Sequence, residues 1–282
     1  MYLLNIIFHI FHLLRIKNIF IAIICVFLSA YILDADDFNQ ILICVAIIAS
    51  TMGFGNVLND IIDLKNDSFN HPNRILPQQI ISIEKAYFIL FVCLVIIIAL
   101  SIYISIIAKV YLLIVNILLL LYNIYYKSIM LIGNFIIALL LSSVFVFTEL
   151  VLAQSYTQLI IPAILAFGIS LIREIIKDLE DMDGDKKVGR STMPIYCGVR
   201  ATLIFVDILI VSFLVLCLYI YYYYYYTTIF LYSVIILVEI PLLISLFLLI
   251  NNPKKKTFSN ISILIKYITI CGILVLLLAN TG

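Results

Sequence analysis

Two short acidic stretches, "NDIIDLKND" and "DLEDMDGD", interrupt a sequence that is otherwise strongly apolar. In each stretch three of the aspartates follow the spacing i, i+3, i+7, and Asn59 directly precedes the first triad. The candidate set is therefore Asn59, Asp60, Asp63, Asp67, Asp178, Asp181 and Asp185. Residues at this spacing lie on one face of a helix, so each triad presents its carboxylates together. A single such aspartate is usually a solvated loop charge, but two copies at the same spacing favour a binding site.

The chemistry of these side chains indicates a hard metal ion. Like charges packed this closely repel, so the arrangement needs a cation among the carboxylates. Oxygen donors without a neighbouring His or Cys suit Mg²⁺ or Mn²⁺ better than zinc. Magnesium takes one or two carboxylates per ion and completes its shell with water and phosphate oxygens. The two triads therefore predict a site that binds a diphosphate through magnesium, with Asp60, Asp63, Asp178 and Asp181 as its catalytic residues.

Basic side chains near the triads suit the remaining phosphate oxygens. Lys177 directly precedes the second triad and Arg173 lies one turn before it, whereas Arg74 follows the first triad and Lys127 ends a later apolar run. All four are predicted to bind the diphosphate. Each one taken singly is explained equally well as a basic residue that marks the cytoplasmic side of a membrane.

The composition makes the chain an integral membrane protein. Of the 282 residues, 65% are apolar and only 12% are charged. A bilayer core about 30 Å thick requires roughly 20 apolar residues per helix. The runs are apolar all round, unlike the alternating strands of a membrane barrel, so the predicted fold is all-α, a single membrane domain over 1–282. Nine runs of suitable length occur, near 16–33, 40–62, 86–107, 110–126, 130–152, 158–176, 201–221, 227–250 and 261–280.

The basic residues fix the expected orientation. With nine spans and the N-terminus inside, all of them except Lys109 fall on the cytoplasmic side or at its helix ends. We therefore expect the N-terminus and both acidic loops in the cytoplasm, the C-terminus outside, and the chain in the cell membrane.

The six cysteines are scattered and are interpreted as small packing residues. Glu149, Asp207 and Glu239, in or near spans, are left out of the predicted site.

The acidic stretches carry a family resemblance. "NDIIDLKND" resembles the NDxxDxxxD motif of the UbiA superfamily of intramembrane prenyltransferases, and "DLEDMDGD" resembles its second aspartate-rich motif. The order and separation of the motifs agree over essentially the whole chain. Around them, "NHPNRILP" and "REIIKDLEDMDGDKKVGRSTMPIYCG" are similar to the geranylgeranylglycerol-phosphate geranylgeranyltransferase branch, as are "RIKN", "YNIYYK" and "GN". The chain departs from that branch at Ile75 and at Gln78 and Gln79.

The resemblance implies a ring of nine helices around a central cavity that the acidic clusters cap at its cytoplasmic end. It implies about two Mg²⁺ ions that bridge the diphosphate of a polyprenyl substrate. It also implies transfer of the prenyl group, after the C1–O bond breaks, to a lipophilic acceptor, an alcohol in the closer branch. Asn18, Tyr122 and Asn134 are expected to line the cavity near the acceptor. The bilayer is the expected surrounding, and no nucleic-acid partner is expected.

Two alternatives remain open at the sequence level. An aromatic acceptor, as in quinone, haem or chlorophyll synthesis, would use the same metal chemistry, although the loop after the first motif lacks the Arg-Thr step associated with the benzoate and haem branches. A cation transporter is a more distant alternative. Against it, the carboxylates gather at one membrane face, and the spans show no pair broken by Gly or Pro.

Overall fold

A computed structural model describes residues 2–223 and 227–279, and these residues fold almost entirely into α-helices. The single β contact among them is an isolated bridge between Ile129 and Ser191. Short 3-10 and π segments occupy Tyr126–Ser128 and Ile235–Glu239. The helices are α1 Tyr2–Leu13, α2 Ile16–Ile32, α3 Phe38–Ile62, α4 Leu64–Asn70, α5 Ile83–Ser101, α6 Ile106–Ile124, α7 Ile132–Leu152, α8 Ile160–Lys187, α9 Met193–Tyr196, α10 Val199–Tyr223, α11 Thr228–Val234, α12 Ile240–Asn251 and α13 Lys255–Ala279.

Polar residues at the ends of the apolar runs determine where several helices begin. Asp37 accepts hydrogen bonds from the backbone N–H groups of Asn39 and Gln40, at 3.0 and 3.1 Å, and so caps α3. Ser82 and Ser105 cap α5 and α6 in the same way. A side-chain oxygen at this position satisfies amide groups that have no partner within the helix.

Seven helical segments in the described residues are long and apolar enough to cross a membrane. They are α3, α5, α6, α7, α10, the continuous segment from α11 to α12, and α13. Helices α1 and α2, which meet at a bend of 68°, form an eighth candidate if they are counted as one span. The predicted run 158–176 coincides with α8, whose first 18 residues include Arg173, Glu174 and Lys177. These charges separate α8 from the seven clear candidates.

The contacts divide the chain into two compact units: unit 1 is Met1–Lys127 with Ser143–Leu159, and unit 2 is Ser128–Ser142 with Ile160–Gly282. Unit 1 contains two hydrophobic clusters. The larger packs α2 against α3 through residues such as Val26, Cys44 and Ile47. The smaller one joins Leu13 and Val57 to the loop after α4. This second cluster fixes the end of α3 that carries the first acidic stretch.

Unit 2 is built around α8, which packs against α10 and α13. Its core includes Ile172, Ile176, Ile210 and Ile265, all at most 1% exposed. Close approach of α8 and α10 requires a glycine, because a Cβ at Gly168 would lie 2.8 Å from a ring carbon of Phe213. The packing holds the second acidic stretch at the C-terminal end of a rigid helix.

A buried carboxylate in unit 1 organises the segment that precedes α8. Glu149, in the last turn of α7, is 1% exposed. It accepts a hydrogen bond from the Ser155 hydroxyl and from the backbone N–H groups of Thr157, Gln158 and Leu159, the last three at 2.7, 2.9 and 2.8 Å. These contacts give Glu149 a structural role, consistent with its omission from the predicted site.

Candidate active site

The first carboxylate cluster, Asp60, Asp63 and Asp67, lies at the junction of α3 and α4 in unit 1. The sequence predicts that all three lie on one helix, whereas the structure shows a break in the helix at Asp63, which ends α3 and precedes α4. Backbone hydrogen bonds nevertheless continue across the break, from Asp63 N to Asn59 O and from Asp67 N to Asp63 O, both at 2.8 Å. The three carboxylates therefore stay close, and each is at most 5% exposed.

Basic side chains pair with every carboxylate of the first cluster. Arg74 lies 2.5 Å from Asp67 and 3.7 Å from Asp60. Arg15 forms an ion pair with Asp60, and Lys127 contacts Asp63. Three positive charges thus face three negative ones, which removes the repulsion that buried like charges would otherwise create. The sequence analysis expects a cation among these carboxylates. In unit 1, basic side chains of the protein itself supply positive charge there.

Two of these bases were predicted to bind diphosphate, and both lie beside the first cluster. Lys127, after α6, donates to the amide oxygen of Asn59 as well as to Asp63. Arg74 reaches the cluster from the loop after α4. Asn59, Asp63 and Lys127 therefore form one connected group within hydrogen-bonding distance.

The environment of Asp67 opposes its ionisation despite its arginine partner. Burial raises the pKa of this carboxyl above its usual value, and the charges of Asp60 and Asp63 raise it further. The charge and hydrogen bond of Arg74 oppose these effects but do not cancel them. The pKa of Asp67 therefore depends on the cations nearby, as expected for a site built to receive positive charge.

The second carboxylate cluster, Asp178, Asp181 and Asp185, lies on the continuous helix α8 in unit 2, as the spacing predicts. Asn134 at the start of α7 donates a hydrogen bond to Asp178 at 2.8 Å. Arg190 pairs with Asp185 at 3.2 Å. This arginine follows the left-handed Gly189, where the chain turns back after α8. Asn134, predicted to line the acceptor cavity, is thus a partner of the second cluster.

The pKa of Asp178, in the second cluster, lies well above the usual value of an aspartate. The protein around this half-buried side chain desolvates the carboxylate and raises its pKa to about 7. The hydrogen bond from Asn134 and the charge of Lys177 lower the pKa, whereas Asp185 and Glu174 raise it. Neutral and ionised forms of Asp178 are therefore both populated near neutral pH. Perturbation of this kind in a polar cluster is typical of functional sites.

The predicted basic residues of α8 also lie at the second cluster. Arg173 pairs with Glu174, while its Nε–H is buried without a partner among the described residues. Such an orphan donor is costly in a folded protein and is consistent with an anionic ligand. Lys177 acts electrostatically on Asp178.

The remaining predicted residues lie in unit 1, on the elements that surround the first cluster. Tyr122 is buried on α6, and Asn18 is partly exposed in the first turn of α2. Both make contacts within the protein.

Sequence reasoning left Arg15, Glu174 and Arg190 out of the site. All three lie within or beside the quoted motifs "RIKN" and "REIIKDLEDMDGDKKVGR". Their position within these family motifs was the signal that could have identified them as site residues. The spacing along the chain does not show which charged side chain each of them contacts.

The donor atoms of both clusters fit magnesium. Carboxylate and amide oxygens are hard ligands, and magnesium needs only one or two protein carboxylates when phosphate and water complete its shell. Within residues 2–223 and 227–279, no three His, Cys, Asp or Glu side chains converge closely enough to enclose a metal on their own. The donor set thus suits an ion that arrives with phosphate oxygens rather than a closed structural metal site.

Comparison with known proteins gives consistent matches over almost the whole chain. The UbiA prenyltransferase family matches residues 19–279. The digeranylgeranylglyceryl phosphate synthase of Methanosphaera stadtmanae is 32% identical over 249 residues, which cover 88% of this chain and 90% of the relative. That of Methanococcus aeolicus is 34% identical over 270 residues, 94% of each chain.

Solved structures agree with this assignment. One, described as digeranylgeranylglyceryl phosphate synthase in membranes, has a TM-score of 0.73 at 31% identity and covers 97% of this chain and 98% of its own. A UbiA homologue from Archaeoglobus fulgidus bound to GPP and Mg²⁺ shares the fold, with a TM-score of 0.69 at 17% identity and coverage of 95% and 99%. These matches confirm the resemblance that the acidic motifs carry: the chain belongs to the UbiA prenyltransferase family.

Proposed function

We propose that this protein transfers a geranylgeranyl group from its diphosphate to the hydroxyl of a prenylglycerol phosphate, which yields a digeranylgeranylglyceryl phosphate. The observation that carries the proposal is the match to synthases of that name at 32 to 34% identity over most of both chains. Both acidic motifs and their basic partners are present and ordered in the chain. The UbiA homologue that binds GPP and Mg²⁺ supports a prenyl diphosphate as the donor.

The reaction breaks the bond between C1 of the prenyl chain and the diphosphate oxygen, and it forms a bond between C1 and the acceptor oxygen. The acceptor hydroxyl releases its proton, so the products are the ether, diphosphate and one proton. Bound Mg²⁺, about two ions, would neutralise charge on the departing diphosphate oxygens. The residues that would hold it are Asn59, Asp60, Asp63 and Asp67 in unit 1 and Asp178, Asp181 and Asp185 in unit 2.

The basic residues supply the remaining stabilisation of the leaving group. Arg74 and Lys127 donate to carboxylates of the first cluster. Their positive charges lie where they would stabilise phosphate oxygens of a bound diphosphate. Arg173 would do so through its buried Nε–H, with Lys177 one turn away. Fixed positive groups aimed at developing charge are typically the largest contribution to catalysis. The buried ring of Tyr122 would present its π face to the allylic cation.

The finer topology is part of the same proposal. We propose nine spans, the seven clear candidates together with α2 and the part of α8 within 158–176, and a single catalytic membrane domain over 1–282. The arrangement of these spans in a ring is what the family resemblance implies. The distribution of basic residues supports a cytoplasmic N-terminus, cytoplasmic acidic clusters, an outer C-terminus and a location in the cell membrane.

An acceptor panel tests the proposed function. The purified protein in lipid nanodiscs is incubated with labelled geranylgeranyl diphosphate, Mg²⁺ and one of three acceptors: geranylgeranylglyceryl phosphate, 4-hydroxybenzoate or a dihydroxynaphthoate. We expect product with geranylgeranylglyceryl phosphate and with neither of the aromatic acceptors. Product with an aromatic acceptor instead would assign the chain to another reaction of the family. Absence of product with every acceptor and donor length, together with metal-ion flux in proteoliposomes, would overturn the enzymatic assignment.

A further inference from the structure

Arg15 occupies a sharp corner that the structure holds in place. It lies between α1 and α2 with a φ of 57°, a left-handed conformation that is uncommon for residues other than glycine. The side-chain amide of Asn56 on α3 donates to the carbonyl of Leu14 at 2.9 Å. The Arg15 carbonyl accepts from Asn18 N at 2.8 Å. The corner is thereby attached to α3, one turn from Asp60.

The guanidinium of Arg15 is fixed at one edge and accessible at the others. One terminal nitrogen donates to Asp60, whose side chain is 7% exposed, while the Arg15 side chain is 27% exposed. A guanidinium has five N–H donors in a planar fork, and this shape matches phosphate in a two-point contact. Asp60 therefore orients the fork without using all of its donors.

Exposed aromatic side chains next to the corner are suited to the headgroup level of a lipid bilayer. Phe8 and Phe11, on α1, are 63% and 47% exposed. They precede a bend of 68° into an apolar helix. A helix with exposed aromatic residues that bends into a span is typical of the membrane interface. A phosphate attached to a lipid tail in the bilayer lies at this depth.

We propose that Arg15 binds the phosphate group of the acceptor lipid, with Asp60 as its orienting partner. This inference rests on the proposed function, in which two anionic lipids meet at the site. Arg74 contacts Asp67 and Lys127 contacts Asp63, and these two bases serve the diphosphate. Arg15 is the basic residue of the first cluster that lies at the interfacial corner and donates to Asp60. The division of bases keeps the two anions apart while their reacting atoms meet.

The test combines a side-chain deletion with deletion of the acceptor phosphate. Arg15→Ala, Arg15→Lys and the control Lys17→Ala, an exposed base two residues away, are compared in nanodiscs. Each is assayed with geranylgeranylglyceryl phosphate and with geranylgeranylglycerol, which lacks the phosphate. Equilibrium retention of labelled acceptor, measured without prenyl diphosphate, gives a readout independent of turnover.

We expect Arg15→Ala to weaken binding of the phosphorylated acceptor about 10- to 100-fold, the range for charge-assisted hydrogen bonds, and to leave binding of the unphosphorylated one unchanged. Arg15→Lys restores part of this binding, and Lys17→Ala has no effect. If Arg15→Ala weakened binding of both acceptors equally, Arg15 would have only a structural role as the partner of Asp60. A loss confined to the KM for prenyl diphosphate would assign Arg15 to the leaving group. Both results overturn the proposal. If the proposed function itself is wrong, the unmodified protein will form no product with geranylgeranylglyceryl phosphate in the acceptor panel, and this result is distinct from the Arg15 results.

Discussion

At the scale of single residues, charge compensation governs both clusters, although the partners differ. In unit 1, each carboxylate has a guanidinium or ammonium partner. In unit 2, Asp178 accepts a hydrogen bond from a neutral amide and is held in a desolvated environment. Both units contain an ion-paired carboxylate and a carboxyl with a raised pKa, but the partner of the perturbed carboxyl is the arginine Arg74 for Asp67 and the neutral amide of Asn134 for Asp178.

The raised pKa of Asp178 predicts an acidic limb in the pH dependence of Mg²⁺ binding. Below about pH 7 this carboxyl takes up a proton and loses its metal-binding form, roughly tenfold per pH unit. Mg²⁺-dependent binding of a prenyl diphosphate should therefore weaken as the pH falls from 8 to 6. Asn134→Leu removes the hydrogen bond that lowers this pKa, so the midpoint should move to higher pH. Titrations of the parent, Asn134→Leu and the exposed control Asp183→Asn measure this, and an unchanged midpoint in Asn134→Leu would contradict it.

Lys127 and Asp63 allow a structural role to be separated from a functional one. Lys127→Met leaves the 4%-exposed Asp63 without its ammonium partner and should cost about 3 kcal/mol of stability, because an uncompensated buried charge remains. The double variant Lys127→Met/Asp63→Asn removes both charges and should recover most of that loss. We expect the double variant to stay inactive. Recovered activity in thermally stable double variants would exclude both residues from the site.

Much of the site could be predicted from the sequence at the residue scale. The spacing i, i+3, i+7 predicts which carboxylates lie close together, because the geometry of a helix depends only on residues near in sequence. The partner of each carboxylate was harder to predict. Arg15 reaches Asp60 from 45 residues away through a left-handed corner, and no local pattern encodes that contact. The same holds for Asn134, which meets Asp178 across 44 residues.

At the scale of helices, α8 is the element on which the second cluster depends. Gly168→Ala places a methyl group 2.8 Å from the Phe213 ring, so α8 and α10 must separate or repack. Overpacking of this kind costs about 1 to 3 kcal/mol. The matched control is Gly272→Ala on α13, where an added Cβ meets nothing within 4 Å. Thermal unfolding should show a loss for Gly168→Ala and a neutral or stabilising effect for Gly272→Ala; equal melting temperatures would argue against tight α8–α10 packing.

The segment before α8 provides a second prediction for a structural element. Glu149→Ala removes the acceptor for three backbone N–H groups and one hydroxyl. Charge-assisted bonds to a buried carboxylate contribute about 1.5 to 3 kcal/mol each, so a loss of roughly 3 kcal/mol is a conservative expectation. Gln158→Ala keeps its backbone N–H and serves as the control. An unchanged melting temperature in Glu149→Ala would show that these contacts do not hold the loop.

Helix positions followed from the sequence more readily than helix breaks. Apolar runs of about 20 residues predicted most spans to within a few residues because burial in lipid requires that length. The break at Asp63 and the 68° bend before α2 were not predicted. Both lie beside contacts between residues distant in sequence or in loops, Asn56 with Leu14 and Arg74 with Asp67, which no local apolar pattern encodes. The charges on α8 set this helix apart from the seven candidate spans and lie next to the second carboxylate cluster.

At the scale of the whole molecule, the account rests on two clusters that belong to different units of the chain. Among the residues that the structure describes, neither cluster encloses a metal ion on its own. Mg²⁺ takes only one or two protein carboxylates per ion when phosphate and water oxygens complete its shell. The proposal therefore predicts that the two clusters bind one diphosphate jointly rather than two diphosphates separately.

The most direct test measures how many prenyl diphosphates the chain binds. Equilibrium binding of a non-reactive thio-analogue of geranylgeranyl diphosphate, with Mg²⁺, is measured for the parent protein, Asp63→Asn, Asp181→Asn and the control Asp183→Asn. We expect the parent and the control to bind one equivalent, and we expect binding to be weakened at least tenfold in each cluster variant. Two equivalents in the parent, with one retained in each cluster variant, would contradict joint binding and with it the proposed chemistry.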